Sequence, residues 1–252
     1  MKTQITAFFM AWGMFLSIPC PAKIWDEKAR PWQLVYLPVA GLLVGALWAL
    51  AAYALGSFDR LPALRAAVLA ALPFLLTGFL HLDGFMDCCD AILSRRDLST
   101  RQKILKDSHV GSFAVVCTIF LMLAAFAAFW DFDAKEGWQG LILLPVFSRF
   151  ASSFCVFACR PMQTSQYAGS FAAGKTKTQR RILLGMYIAV MFVVFLWLFS
   201  KPSCALAVAW AGLTTILACR LARRNLGGMS GDIAGFSITL GELSGLLILA
   251  IF

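Results

Sequence analysis

The sequence predicts an all-α fold, a polytopic integral membrane helical bundle of about seven transmembrane helices plus a short N-terminal interfacial or half helix. Three observations predict it. Of 252 residues, 60% are hydrophobic and only 14% charged, against about 25% charged in soluble domains. Runs of about twenty apolar residues recur, the length of a helix across a bilayer. The basic residues are unevenly shared between alternate connecting loops. A single membrane-embedded domain, residues 1–252, accounts for the chain. Its net charge of +9 reads as loop bias, so nucleic acid is not an expected partner.

Residues 4–18 are apolar but short, and Pro19 and Pro21 stop them, which predicts the half helix. Spans are predicted at about 33–56, 61–80, 110–130, 138–158, 182–200, 202–222 and 234–252. Gly41 and Gly45 form a small-residue pair four apart, as close helix contacts require. Of the 22 lysines and arginines, 16 fall within residues 23–30, 95–106, 160–181 and 220–224. The opposite loops hold four: Arg60, Arg65, Lys135 and Lys201. The rich face is expected to be cytoplasmic. It carries the three long polar loops, 81–109, 159–181 and 219–232, where any chemistry is expected. The eight cysteines include no Cys-x-x-Cys pair, so they support neither a zinc ribbon nor a thioredoxin motif.

"HLDGFMDCCD", residues 81–90, sets three carboxylates beside an oily run. If the preceding helix continues through it, Asp83, Asp87 and Asp90 fall within about 60° of one another. Like charges so placed repel unless a cation sits among them, and a hard divalent ion such as Mg²⁺ suits oxygen donors. The alternative is a solvated helix end. His81 lies about 200° from Asp83 and is expected to cap or orient.

Four further stretches each carry two readings. In "KDSHVGSF", Lys106 to Phe113, Asp107 or Ser108 caps the next helix, and Lys106 adds charge for an anion at its amides, or the segment is a plain N-cap. Arg149, inside an apolar run, meets a phosphate or forms an ion pair with Glu242. "NLGGMSGD", Asn225 to Asp232, brings backbone close to a ligand and Asp232 to the cation, or is a connector with an Asp N-cap. "YAGSFAAGK", Tyr167 to Lys175, matches the phosphate-loop spacing literally through Gly169, Gly174, Lys175 and Thr176. An all-helical chain offers no strand before it, so the segment reads as a basic phosphate-contacting loop.

Together these residues resemble the adenosylcobinamide-GDP ribazoletransferase, or cobalamin synthase, family over nearly the whole chain. Residues 81–90 are similar to its His-Leu-Asp-Gly-x-x-Asp-x-x-Asp signature, "KDSHVG" to a Lys/Arg-Asp-Ser-Arg-x-Gly segment, and Ser148–Arg149 to a Ser-Arg pair. Gly169 to Lys175, the "NLGGMSGD" tail and the early "SIPCP" follow the family pattern too. His109 stands where the family usually has Arg, and Ala91 where Gly often follows the third Asp. The resemblance implies a cobalamin-biosynthesis enzyme of the bacterial inner membrane with a cytoplasmic active face. It joins adenosylcobinamide-GDP to α-ribazole, or to its 5′-phosphate, and releases GMP. It implies Mg²⁺ on Asp83, Asp87, Asp90 and Asp232, and a base among these carboxylates or Asp107. Phosphate and substrate contacts fall to Lys106, Ser108, Arg149, Lys175 and Asn225. Membrane lipid, a second copy or other cobalamin-assembly enzymes are the further partners it implies. A CDP-alcohol phosphotransferase would also cluster aspartates at a membrane face, but "DGFMDC" lacks its Ala-Arg. A cation or metabolite transporter would be expected to show a repeat, and none is visible.

Overall fold

The computed structural model describes residues 2–56, 61–130, 132–163 and 177–252. These residues form helices with no strand among them; Pro161 and Met229 make a single parallel bridge. Helix α1 (Lys2–Phe15) has 14 residues, about 21 Å, too short to cross a bilayer, as its two closing prolines imply. A 3-10 turn (Arg30–Val35) leads into α2 (Leu37–Leu55). Then follow α3 (Pro62–Leu76), α4 (Leu80–Leu93), α5 (Leu98–Ile104), α6 (Ser112–Trp130) and α7 (Ala134–Ala158). The chain ends with α8 (Lys177–Ser200), α9 (Pro202–Leu226) and α10 (Gly231–Ile251).

Among the described residues five helices are long and apolar enough to span: α2, α6, α7, α9 and α10. The α3–α4 pair makes a sixth if taken as one broken span. Helix α8 covers the span expected at 182–200. The bundle centres on α7, which packs against α2, α9 and α10. Gly41 and Gly45 do what their spacing predicts: a Cβ on either would collide with the α7 backbone, at Pro145 and Ile142.

Two expectations change. No continuous helix runs from 61 through 90. It breaks at residues 77–79, where Gly78 and Phe79 take positive φ of 57° and 61°, and α4 leaves α3 at 93°. Pro73, inside α3, and the Thr77 hydroxyl donating to its carbonyl mark the approach to that break. Nor is 81–109 mostly loop. Leu82, Phe85, Cys88 and Cys89 give α4 one buried apolar face, and Asp97 caps α5 by accepting from the Thr100 amide at 3.1 Å.

Candidate active site

Helix α4 positions the site because its two faces have different partners. Its apolar face packs on α6, α9 and α10. Its start lies deep: the His81 carbonyl accepts from Thr239, eight residues or about 12 Å into α10. Its other end reaches the mouth of the bundle, where α6 begins. On the way Gly84 touches the Asp232 backbone; a Cβ there would stand 2.7 Å from the Asp232 carbonyl oxygen. Gly235 makes a matching close approach to His81 and Gly84. This crossing carries Asp232 to the acidic face, so that Asp87 stands within electrostatic range of Asp83, Asp90 and Asp232. Replacing Gly84 by alanine is expected to push α4 and α10 apart, at a cost of about 1–3 kcal/mol. A lowered Tm together with lost activity would confirm the crossing; unchanged values of both would refute it.

A cavity of about 330 Å³ opens along this face. Asp83, Asp87 and Asp90 line one wall, and Lys106, Asp107, Ser108 and His109 the other. Asp83 is exposed, whereas Asp87, Asp90 and Asp232 are half-buried. The helical-face expectation for the three α4 carboxylates therefore holds, although their helix is a new one.

Asp90 has a second task. Its two carboxylate oxygens accept the Gly111 amide at 2.7 Å and the Ala114 amide at 2.9 Å. It thus caps α6 from another helix, the part expected of Asp107 or Ser108. Those two stand too early in the chain, four or more residues before the helix starts at Ser112. Asp107 instead accepts from the His109 amide at 3.0 Å and pairs with His109 Nδ1 at 2.6 Å. The bond to the His109 ring holds the Asp107 carboxyl below the usual range.

Other residues that the sequence singles out lie elsewhere in the bundle. Arg149 is 1% exposed and does not line the cavity. It is ion-paired with Glu242 in the interior, and its Nη1 also donates to the Pro145 carbonyl at 3.2 Å. Ser148 donates to the same Glu242 oxygen at 2.8 Å, so both members of the Ser-Arg pair serve one carboxylate. Arg149 Nη2 lies 3.4 Å from His81 Nδ1, which must be the unprotonated acceptor there. What the His81 ring meets is this arginine. Of the two readings of Arg149, the structure contains the ion pair.

Asn225 ties α9 to α5 by accepting from Arg101 at 2.9 Å, away from the cavity. The glycine-rich loop serves the fold too. Gly227 closes α9 at φ +81°, and Gly228 lies against Met162, where a Cβ would be 2.5 Å from its Cα. Ser230, not Asp232, caps α10 by accepting from the Ile233 amide at 3.3 Å, because Asp232 is already the helix's second residue. Lys175 and the rest of its loop lie outside the described residues. Sequence reasoning missed Gly84 and Gly235. The four-residue spacing of Gly231 and Gly235 was the available signal, the same one that predicts the contact at Gly41 and Gly45.

The donors of the acidic face are all carboxylate oxygens, which suits a hard cation. Among the described residues no three Asp, Glu, His or Cys side chains stand close enough to form a metal cage by themselves. Such a site fits an ion of the Mg²⁺ kind, which takes one or two carboxylates and completes its shell with water and phosphate oxygens.

The class so defined is a polytopic helical membrane protein with a carboxylate-lined cavity at the mouth of its bundle. The model of the cobalamin-5-phosphate synthase family matches residues 7–250, and the chain belongs to that family. An adenosylcobinamide-GDP ribazoletransferase of Clostridium perfringens (strain 13 / Type A) is 37% identical over the full length of both chains. One of Clostridium botulinum (strain Alaska E43 / Type E3) is 33% identical, also over 100% of each. One of Halalkalibacterium halodurans is 33% identical over 96% of this chain and 94% of its own. No solved structure matches.

Proposed function

We propose that the chain is an adenosylcobinamide-GDP ribazoletransferase. The observation that carries this reading is the Gly84 crossing, which brings Asp232 within electrostatic range of the cavity-lining Asp83 and Asp87 in a chain similar throughout to proteins of that name. A ribose hydroxyl of α-ribazole, or of its 5′-phosphate, attacks the phosphorus that bears cobinamide. A P–O bond to GMP breaks, GMP leaves, and the hydroxyl proton passes to a base. The reaction needs charge neutralised on a pyrophosphate, an in-line approach and that base.

In this reading Asp83, Asp87 and Asp232 hold Mg²⁺, with Asp90 the least free of the four because both its oxygens already accept amides. The ion, when bound, offsets phosphate charge. Lys106 and Ser108, on the facing wall, contact the phosphates. Lys106 is a compact cation, suited to a phosphate as a point charge. Asp107, kept ionised by His109, is a weak proton acceptor by itself; the base is then an α4 carboxylate or the His109–Asp107 pair.

Purified protein incubated with adenosylcobinamide-GDP, Mg²⁺ and either α-ribazole or its 5′-phosphate should release GMP and form the cobalamin product. No GMP with either acceptor would refute the assignment. The membrane proposed is the bacterial inner membrane, with the cavity facing the cytoplasm, from the 16-to-4 share of basic residues. An alkaline phosphatase reporter fused after Phe252 is then expected to be active, because it is exported. An inactive fusion would invert the orientation.

A further inference from the structure

The face of α4 turned away from the carboxylates borders a second cavity of about 470 Å³. Phe85, Cys88, Cys117, Phe120, Leu221 and Leu240 are among its walls, and nearly all of that lining is apolar. It is a groove open to the outside, since Phe120 is 66% exposed and Leu221 55%. Its depth identifies its surroundings. It touches α6 from residue 117 to 124 and α10 from 236 to 243. Counted from Ser112 and Gly231, that is about 8–18 Å along two spanning helices, the depth of acyl chains rather than of water.

The mouth of the groove is basic. Leu221 is followed one helical turn on by Arg224, with Arg220 beside it at i, i+4 from Arg224. Leu93, at the groove's α4 end, is followed by Arg95 and Arg96. The four arginines lie at the surface, and among the described residues their guanidinium groups have no hydrogen-bond or carboxylate partner. Arginine forks match phosphate diester oxygens, and unpaired cations at a membrane face attract anionic lipid.

We propose that this groove binds an anionic phospholipid, with one acyl chain between α4, α6 and α10 and the headgroup phosphate among Arg95, Arg96, Arg220 and Arg224. A chain seated there fills the back of the helix whose front carries Asp83 and Asp87, so lipid braces the wall of the acidic cavity. The site is independent of the reaction proposed above.

Titration of the detergent-solubilised full chain with dioleoylphosphatidylglycerol or dioleoylphosphatidylcholine, read by native mass spectrometry, tests it. Phosphatidylglycerol is expected to bind more tightly. Arg220→Ser with Arg224→Ser should erase much of the preference, at about fivefold in affinity for each arginine. Ala124→Phe, which fills the groove, should abolish retained lipid; if that variant does not fold, the surface arginine variant still decides. Equal binding of the two lipids, or binding unchanged in the arginine variant, overturns the proposal. Displacement of the lipid by α-ribazole would make the groove a substrate subsite and overturn it as well. So would a dimer that Ala124→Phe dissociates, which would assign the groove to a second copy.

Discussion

Asp83→Asn is expected to lower turnover on the order of a thousandfold while the protein inserts and folds normally. The side chain is exposed on the cavity wall and makes no hydrogen bond that the fold needs, so asparagine costs little stability. What it removes is one full charge from the group of carboxylates that Asp87 and Asp232 complete. If these hold a cation against a pyrophosphate, that contribution is several kcal/mol at the transition state, at about 1.36 kcal/mol per tenfold. Asp90→Asn offers the contrast. It leaves an amide where two backbone N–H groups need acceptors, so its Tm should fall along with its activity. The measurement is kcat and KM against Mg²⁺ concentration, with Tm for each variant. Wild-type turnover by Asp83→Asn at saturating Mg²⁺ would end the metal role of this residue.

The membrane class, most spans and the acidic face were legible because each depends on short-range pattern: apolar runs, loop charge and the 100° advance per residue. The α4 carboxylates share a face in any helix, whether or not it continues from α3. What was not legible depends on contacts distant in sequence. Asp90 caps a helix that begins 22 residues later, and only the folded crossing of α4 over α6 shows it. Asn225 and the glycines before Asp232 have the composition of a ligand loop. They are used instead for joints with Arg101 and Met162, which no local pattern announces. The break at 77–79 was hidden for a different reason. Gly78 is a weak signal in an apolar run, and Phe79 at positive φ goes against its own preference.

The Arg149–Glu242 pair carries the largest expected effect on stability. The two side chains are 1% and 8% exposed as residues, and they join α7 to α10 in the bundle interior. Their mutual attraction offsets a heavy desolvation cost, so removing one partner strands the other as an unpaired buried charge. That loss is about 3–5 kcal/mol in buried pairs. Arg149→Met is therefore expected to give little folded protein and a sharply lowered Tm, and Glu242→Leu the same. The double variant removes both charges and keeps apolar volume, so it should recover much of the yield lost in either single variant. Its recovery will be incomplete, because Ser148 and His81 lose their partners too. The same set separates structure from chemistry. If Arg149 only holds helices together, the double variant's kcat/KM per folded molecule stays within about tenfold of wild type. If Arg149 also meets substrate phosphate, a charge-assisted contact of about 1.5–3 kcal/mol is lost, and efficiency falls about ten- to a hundredfold however well the protein folds. A normally folded Arg149→Met single variant would refute the structural pair.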